Sequence, residues 1–518
     1  MQQLALGGTA IAAHSGGDSK EFGGPLYKGK FTYNPCSFPA AVCESAAYLS
    51  NVANVANYQQ SFGNAHYTVD DALWSVFAQD DFRVTNRVTL SGGIRYERQN
   101  FTDATHNLGP RAGVTYAVRA DRATVLRVGF SVYHSQILDN TAANYALGEP
   151  SGVFSYTAAP GQAGFPASIT AAPLAALPAG AGVPVRSLYV RPGQPAYLNQ
   201  WFPTSALNGY PRALLNPYSQ QYTASLEQRL GSGWAMTLDY VGTHTLRIVR
   251  PLDVDGPAPF IRTVQGQSRS AGQANCTRPY WGWWYHQRGT PCISNPSATY
   301  PQPSYAVIQT DVNDGYLHYN ALDLNITHAF DHGFSVLASY VWSKTLDNVD
   351  PDATSQNPND TNSTQHEEYG PAIYDQRHRA VLSGIWDAPL HIIVGGVGTL
   401  GTPLPFNYVT GTVNSGDTGG TTDRPVINGA VVGRNSGRGW PIYSLDMSVS
   451  RVFPFRDRGS QVELRVEAFN ALNHRNFVAY SGNYGNGGTA PATLGLPTSG
   501  VTAQLPARFL QFIAKFSF

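Results

Sequence analysis

The sequence predicts an all-β fold, an antiparallel transmembrane β-barrel, on three observations. Apolar and polar residues alternate with a period of two along segment after segment. Short and long connectors between those segments take turns along the whole chain. Charge is scarce: 13% of the 518 residues are Asp, Glu, Lys or Arg, against roughly 25% in an ordinary globular domain.

The same composition excludes several function classes. The 34 basic and 34 acidic residues cancel, so no nucleic-acid partner or anionic surface is expected. With 29 Tyr, 52 Gly and a mean hydropathy of −0.24, the chain avoids charge without being greasy, as alternating strands with one wet face require. The most apolar stretch, LHIIVGGVGTL (390–400), is too short and glycine-rich to be a spanning helix, which needs ~20 residues. The N-terminal MQQLALGGTAIAAHSGG has no Lys or Arg ahead of its apolar patch and is not read as a signal peptide.

Taken in order, the strands are placed near 20–34, 72–84, 88–99, 109–118, 123–135, 218–230, 234–247, 316–330, 333–346, 376–388, 391–408, 440–454, 461–472 and 507–518. In VTLSGGIRYER, Val88, Leu90, Ile94 and Tyr96 share a face opposite Thr89, Ser91, Arg95 and Glu97. TVLRVGFSVYH sets Leu126, Val128, Phe130 and Val132 against Arg127, Gly129 and Ser131. QVELRVEAF sets Val462, Leu464, Val466 and Ala468 against Glu463, Arg465 and Glu467. Each run has about the length of a tilted membrane-crossing strand, ~9–11 residues.

A soluble β-sandwich would alternate in the same way, and the connectors decide between the two. TNR (85–87), RADR (119–122), GSG (231–233), DH (331–332) and RDRG (456–459) are short. The stretches 36–70, 136–216, 248–315, 347–375, 409–439 and 474–506 are long and polar. Outer-membrane barrels have this asymmetry, with short periplasmic turns and long external loops. The whole chain, 1–518, is therefore read as one barrel of about fourteen visible strands, an even number, with apolar residues toward lipid. Arg95, Glu97, Arg127, Glu227, Arg229, Asp239, Glu463, Arg465 and Glu467 are the candidates for the lumen wall. The terminal RFLQFIAKFSF puts Phe518, Phe516, Phe512 and Leu510 toward lipid, and Lys515 and Gln511 toward the lumen.

The remaining candidates lie in the long loops. Cys36 with Cys43, and Cys276 with Cys292, lack the close spacing of zinc or redox sites and are read as two loop-closing disulfides. Trp281, Trp283 and Trp284 lie between the second pair and are candidate ligand contacts, as aromatics are at binding hot spots; loop packing is the plainer reading. HEEYGPAIYDQRHR gathers His366, Glu367, Glu368, Asp375, Arg377, His378 and Arg379, and is read as a charged rim where a loop enters a strand. A single Asp-Thr-Gly at 417–419 has no second copy to share a proton with and is not read as catalytic. Asn414, Asp417 and Asp423 could offer oxygens to Ca²⁺, but the spacing is not that of an EF-hand and an ordinary turn is preferred. No phosphate-binding loop, GxSxG or HExxH is present, so no catalytic residue, metal or cofactor is expected.

Specific words carry a family resemblance. WSVFAQDDFRVTNRVTLSGGIRYE, NLGPRAGVTYAV, YGPAIYDQRHRAVLSGIWDAP, GRNSGRGWPIYSLDMSVSRVFPF, VELRVEAFNALNHRNF and ARFLQFIAKFSF together resemble the β-barrel of TonB-dependent receptors, most closely their Oar-like group. The matching words run from about residue 68 to 518. The resemblance implies an outer-membrane receptor that transports an unidentified ligand. Outer-membrane lipid and the barrel assembly machinery would be its partners, with the TonB system engaged only in a full-length form. Large transporters of this type have about 22 strands, and no plug domain or TonB-box-like segment is recognisable here. The expectation is thus the C-terminal part of a receptor. A non-transporting, adhesion-like barrel and a passive pore are the alternatives.

Overall fold

In the computed structural model, the described residues are 2–18, 27–148, 153–178, 186–193, 211–280, 285, 289, 291–292, 305–349, 368–416, 423–454, 460–498 and 507–517. Alternating residues give alternating side-chain directions, and hydrogen bonds between neighbouring runs assemble them into a 16-stranded sheet. Two short members, Arg186–Tyr189 and Gly370–Pro371, hang off the main path. The rest form one antiparallel series of fourteen: β1 (Gln2–Asp18), β2 (His66–Arg83), β3 (Val88–Gln99), β4 (Asn107–Ala117), β5 (Thr124–His134), β6 (Tyr218–Gly231) and β7 (Trp234–Asp253). The series continues with β8 (Tyr305–Asp331), β9 (Phe334–Asp347), β10 (His378–Ala388), β11 (Ile392–Gly401), β12 (Ile442–Pro454), β13 (Gln461–Phe469) and β14 (Phe509–Ser517).

The register shows how period-two patterning becomes a two-faced wall. One cross-strand row reads Val114, Val128, Ala224, Tyr240, Leu322 and Trp342, from β4 to β9. Val128 is 61% exposed and Trp342 53%, which water would penalise and lipid does not. The next row, one residue along, reads Thr115, Arg127, Ser225, Asp239 and Asp323. A slip of one residue anywhere would exchange the faces, so lipid on one side and water on the other hold the register.

Connectors 84–87, 118–123, 232–233, 332–333, 389–391 and 455–460 all lie at one end of the sheet, and 19–65, 100–106, 135–217, 254–304, 348–377, 402–441 and 470–508 at the other. Two of the short ones are two-residue hairpins with both φ angles positive: Ser232–Gly233 (47° and 79°) and His332–Gly333 (50° and 81°). Such primed turns match the strand twist and favour Gly at the second position.

The start of the barrel corrects the sequence reading. The first strand is Gln2–Asp18, not 20–34, and it pairs in continuous register with β2 from Gln2↔Phe82 to Asp18↔His66. Of the stretch read as strand, Lys30–Tyr33 instead joins a small three-stranded sheet with Val55–Phe62 and Phe154–Ala158 in the external loops. Gly, Ala and Ser dominate β1, so its own alternation is faint and its partner strand dictates the pairing. The loop expected at 36–70 ends at residue 65, and the one expected at 248–315 contracts to 254–304 because β7 and β8 run on past the membrane as a paired ribbon.

Candidate functional site: the external loop assembly

The β7–β8 ribbon is the frame on which the external loops are mounted. Its strands are 20 and 27 residues long, and Arg250–Asp253 pairs with Gln309–Val312 above the barrel. At its tip, Asp253 accepts hydrogen bonds from the Ile308 and Asp255 amides, both at 3.0 Å, and from Arg278 Nη1 at 2.6 Å. Arg278 also donates to the Asp255 carbonyl at 2.8 Å and to Asn275 Oδ1 at 2.9 Å. This ties the ribbon to the short helix Ala271–Asn275, which opens with a Ser270–Gln273 capping box. Asp255 is fully buried: one carboxyl oxygen accepts the Tyr280 amide, and the other has no partner among the described residues. Burial pushes this carboxyl up to about 8; the Tyr280 amide and Arg278 pull it down, and the Asp253 charge adds to the rise.

Further connectors are stitched by buried charge. Arg434 pairs with Asp347 at the end of β9 and donates through Nε to the Glu368 carbonyl at 2.8 Å. Arg424 pairs with Glu368 at 2.5 Å, and Arg262 donates to the Arg424 carbonyl at 2.9 Å. Gln265 donates to the Gly485 carbonyl at 2.6 Å and accepts from the Val426 amide at 2.7 Å. Asn414 donates to Asn486 Oδ1 at 2.8 Å. The described parts of connectors 254–304, 348–377, 402–441 and 470–508 are thereby interlocked. On the other flank, Tyr145 and Tyr189 in 135–217 both donate to the Asp311 carboxylate of the ribbon, at 2.5 and 2.8 Å. Burial, then the neighbouring Asp311 charge, raises both phenols, so they remain donors at any physiological pH. Arg191 of the same connector pairs with Asp103 in 100–106 at 3.2 Å.

The residues singled out from the sequence fall in three places. Both cysteine pairs are disulfides, Cys36–Cys43 and Cys276–Cys292, and both lie in external connectors. Trp281, Trp283, Trp284, Asp417, His366, Glu367 and Phe518 lie outside the described residues. Asn414 and Asp423 are buried in the loop; Asp423 accepts from the Ser415 amide at 2.5 Å and its hydroxyl at 3.1 Å, which is turn-stabilising work. The charged rim expected around 366–379 is found in part: His378 and Arg379 are exposed and Arg377 is half-buried, whereas the two described acids are not on it. Glu368 and Asp375 are each 1% exposed, Glu368 paired with Arg424, and Asp375 accepting from the Thr345 amide at 2.8 Å and pairing with Arg438 at 3.3 Å. Other loops fold over them and exclude the water that a rim would have.

On the polar wall, Arg95 pairs with Glu97 at 2.7 Å and donates to Ser75 Oγ at 2.6 Å; Arg127 pairs with Glu227 at 2.7 Å. Arg465 pairs with Glu463 at 2.7 Å and Glu467 at 3.5 Å, while Asp239 sits opposite Asp323. Arg229 belongs to the turn end, where it donates to the Asp121 carbonyl at 2.7 Å. Phe512, Phe516 and Leu510 are on the apolar face, 74, 59 and 56% exposed.

Sequence reasoning missed Asp253, Asp255, Arg278, Asp347, Arg424 and Arg434. Nothing in their spacing marks them, because each partner comes from a remote stretch of polar sequence. As chemistry, the assembly offers a hydrogen-bonded external surface beside a polar wall.

A family model described as "Outer membrane beta barrel domain" matches residues 2–107, 98–430 and 406–511. No curated protein matches the sequence. Among solved structures, the outer membrane transporter YddB from Escherichia coli is similar in fold, with a TM-score of 0.54 and 11% identity, covering 99% of this chain and 50% of that one. The ferric enterobactin receptor PfeA from Pseudomonas aeruginosa gives a TM-score of 0.45 at 10% identity, covering 89% of this chain and 50% of that one. The siderophore receptor PiuA from Acinetobacter baumannii gives 0.40 at 10% identity, covering 82% and 41%. The chain spans half or less of the length of these three structures.

Proposed function

The chain belongs to the outer membrane beta barrel domain family and resides in the outer membrane, and from that premise we propose that it is the barrel of a TonB-dependent-receptor-type transporter. The external loop assembly binds the substrate, and the polar wall lines its path across the membrane. The observation that carries this reading is the division of the sheet into two ends: every long connector lies at one end, and at least four of them are interlocked by buried ion pairs and hydrogen bonds. A plug and coupling to the TonB system belong to the full-length form and are part of the proposal. No catalytic role is proposed.

Planar-bilayer recording of the purified chain tests the transport reading. The expected result is no steady conductance, as for a part of a receptor barrel that does not close a pore by itself. A constant open channel would replace this reading with the passive pore, and saturable binding of a partner cell surface by the loops without any uptake would favour an adhesion-like barrel.

The last strand is proposed to be what the barrel assembly machinery reads, since Phe516 and Phe512 stand on the lipid face of β14 in step with the terminal Phe518. Deleting Phe518 is expected to reduce the assembled, heat-modifiable form at least several-fold while leaving export to the periplasm intact. Normal assembly of the deletion variant would remove this role.

A further inference from the structure

We infer that Asp255, Asp253 and Arg278 form a pH-responsive latch that holds Cys276–Tyr280, the start of the disulfide-bridged segment, against the β7–β8 ribbon and loosens it as external pH rises. The latch rests on the proposed function only in that the loop faces the outside; its mechanism stands on geometry.

Three charged groups meet at the tip of the ribbon, two acids and one base. The Asp253 carboxylate is fully engaged, by Arg278 Nη1 at 2.6 Å on one oxygen and by the Ile308 and Asp255 amides at 3.0 Å on the other. Arg278 pairs directly with the Asp253 carboxylate and donates to the Asp255 backbone carbonyl at 2.8 Å; its charge lowers the Asp255 carboxyl by less than burial raises it. The Asp255 side chain has no exposure to water; one oxygen accepts the Tyr280 amide and the other meets no donor among the described residues. An ionised carboxylate there would be a second negative charge with one backbone donor and no solvent, which a buried site does not tolerate. The proton is the simplest way to satisfy it.

The charged groups facing Asp255 are Asp253 from β7 and Arg278 from the segment after the Ala271–Asn275 helix. Burial holds the carboxyl up to about 8 in the folded loop, against about 3.9 in an unfolded chain. A raised carboxyl binds more protons folded than unfolded throughout that interval, so its contribution to loop stability is complete below about pH 4 and declines as pH rises toward 8. Above 8 the decline levels off, because both states are then ionised. Cys276 follows the helix directly and Tyr280 follows Arg278 by two residues, so loosening acts first on the start of the disulfide-bridged segment. The disulfide limits the excursion to the loop and leaves the barrel unaffected.

Hydrogen exchange of the full chain in detergent, from pH 5 to pH 9 and corrected for intrinsic rates, tests the latch. The amides of Tyr280 and Ile308, which bond to the two carboxylates, report on it. Their protection is expected to fall by at least about tenfold across this range, while amides of β3 and β5 stay constant. Asp255→Asn keeps the shape without the titrating proton and is expected to give a flat profile. Flat protection in the native chain overturns the latch, whether or not the variant assembles. An equal fall in Asp255→Asn also overturns it, by moving the titration to another group.

Discussion

Arg434→Met is expected to unlock the external loop assembly while leaving the barrel in place. The guanidinium contacts the Asp347 side chain and carbonyl and the Glu368 carbonyl, with side-chain accessibilities of 1% for Arg434 and 0% for Asp347. Removing it leaves a carboxylate buried without its counter-charge, at a cost of about 3–5 kcal/mol. Hydrogen exchange in 368–376 and 423–441 should accelerate accordingly, with β2–β6 unchanged. The double variant Asp347→Leu with Arg434→Met removes both charges and should recover most of the loss, because desolvation offsets much of the pair's attraction. If the single variant exchanged like the native chain, the interlocking of these loops by buried charge would be wrong.

Val128→Arg is expected to impair insertion, whereas Thr223→Arg, on the neighbouring strand and the opposite face, should be tolerated. Val128 stands mid-strand in the apolar row, between Val114 and Ala224, and is 61% exposed. Arginine near the bilayer midplane on a barrel's lipid face costs about 2–4 kcal/mol, falling toward the interfaces. Thr223 lies on the wall that carries Arg127 and Glu227, where water and opposite charges are at hand. Refolding yield into lipid vesicles, read by the heat-modifiable band, measures both. Equal yields for the two variants would mean that the faces have been assigned the wrong way round.

Legibility was highest where the chain alternates strongly. The strand at 88–99 has the same limits in sequence and structure, and the one at 123–135 is within one residue at each end. It was lowest at Gln2–Asp18, whose Gly, Ala and Ser carry little face preference; β2 supplies the ladder that makes it a strand. The paired ribbon of β7 and β8 was also missed, because Arg250–Asp253 and Thr310–Asp314 read as loop by composition. Their polar side chains are accommodated by ion pairs such as Arg250 with Asp314, at 2.6 Å.

By itself the sequence determined the period of the strands, the sidedness of the connectors and the class of membrane the wall fits. These are properties of local chain geometry: a two-residue repeat and a connector length are both contained in short windows. Only the tertiary structure decided which loop charges would be buried and with whom. Arg434 and Asp347 are 87 positions apart, and Arg424 and Glu368 are 56 apart. At such separations a charged residue in a polar stretch looks the same whether it will meet water or a counter-charge. The difference appears only when the strands bring the loop ends together and water is displaced from between them.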